Sequence, residues 1–515
     1  MTAAFGAKGA ISTSHHLATE AGAAALEAGG NAIDAALAAA ATLCVVYPNN
    51  VALGGDLVAL VRSPEGEVRF LNATGVAPAG QTLEALREKH GDALPLRGID
   101  TVTVPGGICG WNSLHEYGAK LSWADHFTAA IKHAEEHPAA RSIAAALIDD
   151  RETLEQDPGA RAIFYPGGEP LGEGETVKQP ALAETLRRIA AGGSAEFYEG
   201  ETAQKWIAGL QRLGSKITAE DAANFSAFWG EPLEGSFDGL RVLTGPPNTS
   251  GFMLLRALNA ISGADGGAGI EDPLGAGAGE LAKAFHAANS VRAAALADSD
   301  FGGLSGEELV QLPDPHFPVI GEAKASGDTV GFAAISADGW AVSFINSVYW
   351  SFGAHILEPD TGIVFQNRGT SFSLDPEAPN RFAGGKRPRH TLMPVLIMRG
   401  DELAWVPATM GGSAQPQIHA QLLLHALAGA TPEQATHAPR WMVNELSPEN
   451  GVSVMIEENV DAAAHESIAA AGFEVNVVPR YTEDLGHSNL IRVLPDGYEA
   501  ASDPRSDGSA IVVPA

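Results

Sequence analysis

Thr329 stands where the character of the sequence changes. The residues just before it, Ala325 to Asp328, are small and polar and have no hydrophobic period, so we expect them to be exposed. The residues after it alternate in hydrophobicity as in a β-strand. A threonine hydroxyl at such a junction suits an enzyme whose nucleophile is liberated by cutting the chain. Taken alone, the same pattern also describes an ordinary strand threonine.

Histidine and cysteine offer no comparable chemistry. His15 and His16 are adjacent, so they would face different directions, and no carboxylate lies at ligand spacing from them. We expect this pair at the entrance of a helix. Cys44 and Cys109 are the two cysteines of the chain, and their spacing indicates neither a zinc site nor a disulfide framework. The sequence therefore predicts no metal and no cofactor.

The elements that would position Thr329 are β-strands. An Asp338-Gly339 pair separates two alternating runs, and this dipeptide is a strong signal for a tight hairpin turn. A strand-rich module is therefore predicted to begin near residue 329. Its predicted strands are Thr329–Ser336, Trp340–Val348 and Gly362–Gln366.

The part of the chain before residue 329 is predicted to combine helices with one hairpin. Residues 121–225 show apolar residues at helical spacing and are predicted to form a helical lobe. Gly263–Glu280 is rich in glycine, alanine and acidic residues and is predicted as a surface loop. The predicted helices are Ala18–Glu27, Asn31 to the residue before Pro48, Asp125–Glu136, Arg141–Leu154, Ala181–Ala191 and Leu281–Ala297, and the hairpin joins Leu57–Arg62 to Glu67–Asn72.

Composition restricts the partners of the protein. The 515 residues include 32 basic and 63 acidic side chains, a formal net charge of −31. This charge opposes binding to nucleic acids and anionic lipids, because both depend on Lys and Arg. The segment Met1 to Thr13 has no apolar stretch of signal-peptide length, and the longest apolar run, Ala35–Tyr47, is too short to span a bilayer. We therefore expect a cytoplasmic globular protein without nucleic-acid or membrane partners.

Several motifs in one order carry a family resemblance. They are His16-Leu17-Ala18, Gly29-Gly30-Asn31-Ala32-Ile33-Asp34-Ala35-Ala36, Leu53-Gly54-Gly55, Val104-Pro105-Gly106, Phe197-Tyr198-Glu199-Gly200, Pro246-Pro247-Asn248-Thr249-Ser250-Gly251, Gln366-Asn367-Arg368-Gly369, Arg389-His390-Thr391-Leu392, Met410-Gly411-Gly412-Ser413 and Ala501-Ser502-Asp503-Pro504-Arg505-Ser506. With these motifs the chain resembles the γ-glutamyltransferase family of N-terminal nucleophile hydrolases, closest to its oxamate amidohydrolase and cephalosporin-acylase-like branch. The resemblance implies an α+β fold, a four-layer αββα sandwich with an added helical lobe. It also implies self-cleavage into a large subunit, residues 1–328, and a small subunit, residues 329–515.

The resemblance also implies roles for individual residues. The family pattern places the nucleophile nine residues before the Asp-Gly turn, at Thr329, and its hydroxyl would attack the carbonyl of Asp328. The new α-amino group, with a pKa of roughly 7.7–8.0, could then act as general base. Backbone N–H groups of Gly411 and Gly412 would form an oxyanion hole, and Ser347 would hydrogen-bond the nucleophile. Without the resemblance, the glycines describe a plain turn and Ser347 an exposed strand serine.

The chain departs from the family where the family recognises glutamate. Arg368 introduces a cation among these positions, which should repel a substrate amine and attract a carboxylate. Without the resemblance, Arg368 describes a structural salt bridge to one of the many acidic residues. The changed positions are Thr74 in place of an arginine that holds the substrate α-carboxylate, Tyr349, Arg368 and Ser371 in place of an Asn, a Gln and an Asp that hold the α-amino group, and His390-Thr391 in place of a serine pair.

The expected activity is hydrolysis of a small carboxylate-bearing amide such as oxamate, through a threonyl ester. Arg368 would bind the carboxylate beside Thr329, and His487 would line the pocket unless its segment is a surface loop. Two rivals stay open: a true γ-glutamyltransferase or glutathione hydrolase, and an uncleaved non-catalytic protein that only binds. The expected partners are the small-molecule amide and the two subunits from one precursor, which could pair as a homodimer of the processed heterodimer.

Overall fold

Two stacked β-sheets with helices on both outer faces form the architecture. The computed structural model describes residues 6–314, 328–445 and 452–515, without the side chains at positions 328, 444 and 445. The strands of the described part are β1 (Gly9–Thr13), β2 (Asp56–Arg62), β3 (Val68–Ala73), β4 (His137–Pro138), β5 (Thr176–Val177), β6 (Phe228–Gly230), β7 (Leu233–Phe237), β8 (Leu240–Thr244), β9 (Asp328–Ser336), β10 (Ala341–Tyr349), β11 (Leu357–Glu358), β12 (Ile363–Val364), β13 (Val395–Arg399), β14 (Glu402–Met410), β15 (Trp441–Glu445), β16 (Val452–Glu457), β17 (Glu474–Val478), β18 (His487–Leu494), β19 (Gly497–Ser502) and β20 (Ser509–Val513).

Helices connect and cover these strands. Among the described residues, no helix is both long and apolar enough to cross a bilayer. The helices are α1 (His16–Glu27), α2 (Ala32–Val46), α3 (Leu83–His90), α4 (Gly107–Gly118), α5 (Thr128–Glu135), α6 (Arg141–Asp149), α7 (Arg151–Leu154), α8 (Pro158–Phe164), α9 (Pro180–Gly192), α10 (Ser194–Tyr198), α11 (Glu201–Arg212), α12 (Ala219–Ala223), α13 (Gly251–Ser262), α14 (Ala278–Ala295), α15 (Gly306–Gln311), α16 (Gln415–Leu427), α17 (Pro432–Thr436) and α18 (Ala462–Ala470).

The two large sheets pack face to face. The first has the strand order β20-β1-β9-β10-β2-β3-β6 and the second the order β19-β18-β14-β13-β8-β7. Apolar side chains from both, such as Ala333 and Ile345 from the first and Val406 and Ile491 from the second, form the core between them. Helices α1, α2 and α4 cover the outer face of the first sheet, and α13, α14 and α16 cover that of the second. The α+β class and the four-layer αββα arrangement are confirmed.

Strand β9 lies in the middle of the first sheet, between β1 and β10. Phe332 belongs to the core under the outer helices and stacks on Phe344 of β10, with 4.5 Å between ring centroids. Ala333 belongs to the core between the sheets. Because side chains alternate along a strand, Thr329 and Gly331 face the second sheet, like Ala333.

Helix α2 anchors the outer layer over this strand. Every residue from Ala32 to Val46 is buried, and the many alanines let neighbouring elements approach closely. A capping box starts the helix: the Asn31 side chain accepts a hydrogen bond from the N–H of Asp34, whose carboxylate accepts one from the N–H of Asn31. The helices of residues 121–225 extend the same layer, since α5 packs on α2 and α9 packs on α5.

Most predicted elements are confirmed, with shifts of a few residues at their ends. The hairpin turn is present, and Gly339 has the positive φ, 98°, that such turns need. The helix predicted from Arg141 to Leu154 is interrupted at Asp150, between α6 and α7. The predicted exposed linker before Thr329 lies outside the described residues, apart from the backbone at position 328, which already belongs to β9.

Strands after residue 328 complete both large sheets, and β15, β16 and β17 form a separate three-stranded sheet. Strand β9 pairs with β1 and with β10, and β10 pairs with β2. In the second sheet, β8 from the earlier part of the chain pairs with β13 from the later part. The segments 6–314 and 328–515 therefore share both sheets, because their strands complete each other's hydrogen bonding.

Gly331 marks a very close approach of the two sheets. A Cβ atom at this position would lie 2.3 Å from the carbonyl oxygen and 2.6 Å from the nitrogen of Thr409 in β14. Backbone atoms cannot rotate away as a flexible side chain can. A methyl group at residue 331 must therefore push the sheets apart.

We expect Gly331→Ala to lower the free energy of unfolding by about 1–3 kcal/mol, the usual cost of overpacking a core. Gly230→Ala in β6 is the matched control, because no atom lies within 4 Å of its Cβ position. The control should change stability by less than about 0.5 kcal/mol. Denaturant unfolding followed by tryptophan fluorescence measures both variants, and equal stability of the two would contradict the close contact.

Candidate active site

Thr329 lies near the start of β9 with its side chain fully buried. Its Oγ1 lies 2.9 Å from the Oγ of Ser347 in β10, and either hydroxyl can be the donor. The Ser347 oxygen also accepts a hydrogen bond of 2.8 Å from the N–H of Tyr349. Asn50 Nδ2 donates to the carbonyl oxygen of Thr329 across 3.4 Å. Ser347 is thus a buried partner of Thr329, and the interpretation as an exposed strand serine is wrong.

A β-bulge produces this contact. Asn346 pairs with Val330, whereas the next pair joins Tyr349 to Asp328, so two residues of β10 oppose Thr329 alone. Such bulges re-aim side chains and are frequent beside active sites. Tyr349 has a φ of 83°, a left-handed conformation that costs a non-glycine residue about 1–3 kcal/mol. The packing around the buried Tyr349 must hold this strained backbone in place.

Arg368 lies against the same end of β10. It begins a short 3-10 turn, and its side chain is completely buried. The guanidinium carbon lies 3.5 Å from the centre of the Tyr349 ring, and Nη1 lies 3.5 Å from Oγ1 of Thr391. Stacking on an aromatic face suits the planar guanidinium, which is more weakly hydrated than an ammonium group. This corner of the sandwich therefore holds a buried positive charge.

Asp56 organises the groups next to Arg368. Its carboxylate lies 2.9 Å from Nε2 of His390 and accepts hydrogen bonds from the Gly75 N–H at 2.7 Å and Gln366 Nε2 at 2.8 Å. Burial, and then the charge of Arg368, lower the pKa of His390 to about 4. The imidazole is therefore neutral at pH 7, and its Nε2 carries the proton that the carboxylate accepts.

Neither Asp56 nor Gln366 stood out in the sequence as a site residue. The available signal was an acidic residue at the start of β2, directly before five apolar residues. A carboxylate buried among apolar side chains must find hydrogen-bond donors, so such a residue predicts a polar cluster. The donors themselves come from distant segments, and no local pattern identifies them.

The Thr74 hydroxyl forms hydrogen bonds to other side chains of the protein. Its hydroxyl donates to Asn72 Oδ1 at 2.7 Å and accepts from Asn248 Nδ2 at 3.3 Å. The next residue, Gly75, donates its N–H to Asp56. Thr74 thus supports the segment that contacts Asp56, and it brings no positive charge for a carboxylate.

Gly411 and Gly412 connect β14 to helix α16 through a short 3-10 turn, Gly412–Ala414. Their φ angles of 153° and 53° are conformations that favour glycine. The first N–H groups of a helix have no partner within it and lie at the positive end of its dipole. The segment is therefore a turn at the start of a helix, a place where N–H groups suit a negatively charged oxygen.

The course of β14 brings these glycines towards Thr329. The carbonyl of Pro407 accepts a hydrogen bond of 2.8 Å from Ser343, which lies level with the middle of β9. Two residues later, Thr409 lies against Gly331. Strand β14 therefore runs towards the start of β9. By this spacing Gly411, two residues after Thr409, is level with Thr329, two residues before Gly331.

His487 begins β18 and pairs with Met410, the residue before the two glycines. Its ring is buried, with Nδ1 lying 3.3 Å from the Ser14 hydroxyl, and burial lowers its pKa to about 4. Arg440 donates to the carbonyl of Gly486 at 2.9 Å, which fixes the segment just before β18. His487 therefore does not belong to a surface loop.

A cavity of about 340 Å³ opens beside these residues. Asn50, which contacts the Thr329 carbonyl, and Met410, which precedes the glycines, both line it. Ser371 is placed differently, because it lines another cavity of about 330 Å³ together with residues such as Asn380. The structure thus brings together most of the sequence-predicted residues, with Ser371 on a different side.

His15 caps helix α1, as expected for a helix entrance. Its Nδ1 accepts a hydrogen bond of 3.2 Å from the N–H of Leu17. In the three described ranges, no group of three or more His, Cys, Asp and Glu side chains is arranged to hold a metal ion.

Comparison with known proteins identifies the family. Residues 18–513 match the family model described as Gamma-glutamyltranspeptidase. The chain belongs to the gamma-glutamyltranspeptidase family. Membership makes the protein an enzyme of the N-terminal nucleophile hydrolase class, and the class expected from the motifs is confirmed.

Members of the gamma-glutamyltranspeptidase family resemble this chain along almost its whole length. The glutathione hydrolase-like YwrD proenzyme of Bacillus subtilis (strain 168) is 34% identical, over 98% of this chain and 98% of its own length. The oxamate amidohydrolase proenzyme of Klebsiella pneumoniae is also 34% identical, over 96% of this chain and 97% of its own. The crystal structure of cephalosporin acylase from Bacillus halodurans has a TM-score of 0.89 and 31% identity, covering 99% of this chain and 97% of the other.

Buried histidines couple the stability of the fold to pH. The pKa values of His390 and His487 are lowered to about 4, and those of His15 and His419 to about 3, mainly by burial. In the unfolded chain an imidazole has a pKa of about 6.5, so the unfolded state takes up these protons first. The stabilisation is therefore complete above about pH 6.5 and is lost as the pH falls towards 4.

We expect the free energy of unfolding to be lower at about pH 5 than at about pH 7. His390→Gln should reduce that difference by on the order of 1–2 kcal/mol, because one buried imidazole no longer takes up a proton on unfolding. His465→Gln on α18, where the side chain is only partly buried, is the matched control. Urea unfolding at both pH values measures the effect, and a His390→Gln protein with the parent's pH dependence would contradict it.

Proposed function

We propose that the protein is a self-processing amidohydrolase whose nucleophile is Thr329 and whose substrate is a small amide bearing a carboxylate, such as oxamate. The observation that carries the proposal is the 2.9 Å contact between the hydroxyl oxygens of Thr329 and Ser347 in a buried bulge. Both 34% identical relatives are named proenzymes, which supports maturation by cleavage. The name of one of them, oxamate amidohydrolase, supports the choice of substrate.

Maturation would break the peptide between Asp328 and Thr329. The Oγ1 of Thr329 attacks the carbonyl carbon of Asp328, the C–N bond breaks, and the acyl group passes from nitrogen to oxygen as an ester. Water then hydrolyses the ester and leaves Thr329 with a free α-amino group. Ser347 lies within hydrogen-bond reach of the attacking oxygen, so it can relay the hydroxyl proton towards the departing nitrogen of Thr329 during this step.

Turnover would use the same hydroxyl with a different base. The α-amino group of Thr329 takes the hydroxyl proton, and Oγ1 attacks the substrate amide carbon. N–H groups of Gly411 and Gly412 stabilise the oxyanion, and one such donor is typically worth about 10²–10³-fold in kcat. The amine leaves with a proton from the α-ammonium group, and water hydrolyses the threonyl ester.

Arg368 would select a substrate with a carboxylate. A guanidinium binds a carboxylate through two charge-assisted hydrogen bonds, and the stack on Tyr349 fixes the plane in which it can do so. The neighbouring carboxylate of Asp56 is shared among three donors, one of them His390, so its negative charge is dispersed in that network. In oxamate the carboxylate is bonded directly to the amide carbon, so fixing one group positions the other for attack.

A true γ-glutamyltransferase is the less favoured activity. Such a substrate brings an α-ammonium group, and the buried charge at the expected position is the cation Arg368. Ser371, the third replaced position, lines the other cavity. A non-catalytic binding protein is also less favoured, because the hydroxyl pair at the start of β9 and the glycine turn after β14 are both present.

The first test is processing of the chain, followed by denaturing gel electrophoresis. The parent should yield two fragments, residues 1–328 and 329–515, whereas Thr329→Ala should stay a single band because it lacks the hydroxyl. Thr329→Ser keeps a hydroxyl and should still be cut. Complete processing of Thr329→Ala, or a small fragment that does not begin at Thr329, would overturn the assignment. An uncut parent after long incubation would favour the binding protein.

The second test concerns the substrate. Arg368→Gln should lower kcat/KM for oxamate by about 10²-fold, because charge-assisted hydrogen bonds together contribute about 3 kcal/mol. Arg368→Lys should recover only part of this loss. An ammonium group restores the positive charge, but it cannot make the two parallel hydrogen bonds of a guanidinium. Ammonia release from oxamate and from the neutral control acetamide measures the effect, and an equal loss on both would show that Arg368 is not selective. Faster turnover of γ-glutamyl-p-nitroanilide than of oxamate by the parent would favour the transferase.

A further inference from the structure

The cavity beside Thr329 is larger than the amine released from oxamate requires. Its volume is about 340 Å³. Ammonia is close in size to water, which occupies on the order of 30 Å³ in the liquid. The cavity adjoins the reacting end of β9, because Asn50 lines it and also donates to the Thr329 carbonyl. This space can therefore hold a much larger amine than ammonia.

The charged side chains that line this cavity are predominantly acidic. Arg97 is the basic side chain of the lining, and its Nη2 lies 3.4 Å from a carboxylate oxygen of Asp150, so these two charges offset each other. Two of the acids, Asp149 and Asp484, have no ion-pair partner in the described part of the chain. The acidic lining residues are Asp149, Asp150, Glu483 and Asp484.

Glu483 contributes less charge than the two unpaired aspartates. It lies 3.4 Å from Arg141, and burial raises its pKa to about 7. Only about half of this carboxyl group is therefore ionised near pH 7. The main negative charge of the lining comes from Asp149 and Asp484.

Two asparagines that line the same cavity have a buried amide oxygen without a donor. Asn49 and Asn50 line it, with 4% and 2% of their surface exposed, and the Oδ1 of each has no hydrogen-bond partner in the described residues. In Asn50 the bond from Nδ2 to the Thr329 carbonyl fixes the amide, so Oδ1 is the atom left facing away from Thr329. An unpaired buried acceptor costs about 1–3 kcal/mol, so a ligand with N–H donors would relieve this cost.

Aromatic and acidic groups in the lining point to the same ligand chemistry. The ring of Trp350 lines the cavity, and the face of an indole attracts cations. Acceptor oxygens, carboxylates and an aromatic ring together suit a group that carries both N–H donors and positive charge. A carboxylate or a neutral alkyl chain would leave the acceptors unpaired.

We propose that this cavity binds the amine half of the substrate and that this half carries a second, cationic amino group. The substrate class is then an N-aminoalkyl amide of a small carboxylic acid, with the carboxylate at Arg368 and the ammonium group near Asp149 and Asp484. When the C–N bond breaks, the departing nitrogen takes a proton from the α-ammonium group of Thr329, and a diamine is released. This inference rests on the proposed function, because it uses the threonyl ester chemistry.

Three N-substituted oxamates of equal length test the charge preference. We expect kcat/KM for N-aminobutyl oxamate to exceed that for neutral N-pentyl oxamate by about five- to tenfold, and N-carboxypropyl oxamate to fall below both. In a double variant with Asp149→Asn and Asp484→Asn, the preference for N-aminobutyl over N-pentyl oxamate should fall to about one- to twofold in kcat/KM. Glu466→Gln on α18 removes an exposed charge outside the cavity and should leave the ratio unchanged.

The inference would be overturned if the parent hydrolysed N-aminobutyl oxamate no better than N-pentyl oxamate. It would also be overturned if the double variant kept the same preference between these two substrates as the parent. Calorimetry with diaminobutane provides a readout that does not need turnover. Saturable binding to the processed protein that is weakened at least about fivefold in the double variant supports the cation site. Absence of binding overturns it. A protein that binds diaminobutane and hydrolyses no oxamate would refute the proposed function and leave the cation site standing.

Discussion

The contact between the two sheets at Gly331 is the constraint on which the site depends. Backbone atoms of β9 and β14 would clash with any side chain there, so neither strand can move closer or slide without opening the core. Thr329 precedes this contact by two residues, and Gly411 follows Thr409 by two. A slip of β9 by one residue would turn Thr329 towards the outer helices. The packing of the sandwich therefore fixes the level of Thr329 on β9 relative to the Gly411-Gly412 turn that follows β14.

Local charge at the site is opposite to the charge of the whole chain. The chain has a formal net charge of −31, yet the guanidinium of Arg368 is completely buried at the site. The nearby carboxylate of Asp56 and the neutral ring of His390 satisfy each other, so the positive charge is concentrated on the side of Tyr349. The charged side chains that line the 340 Å³ cavity are, in contrast, mainly acidic.

The sequence alone determined the elements whose signals are local. Helices α1 and α2, the start of α2 near Asn31 and the Asp338-Gly339 turn each follow from residues within a few positions of one another, and each is present. The ordered motifs were sufficient to predict the family. The αββα fold followed from the family, because its members share contacts between distant segments that local patterns in one sequence do not reveal. The replacement of the family's glutamate-binding groups, with Arg368 among them, was also readable from the sequence.

Only the tertiary structure decided which of these residues meet. The β10 bulge beside Thr329, the hydroxyl of Ser347 within it and the three donors around Asp56 come from strands and turns that lie far apart in the chain. The burial of His487 and the placement of Ser371 in another cavity are of the same kind. Periodicity specifies which face of a strand is buried but not which residue of a distant strand lies opposite. That information arises when the sheets pair and pack, since strand register and side-chain partners are then chosen together.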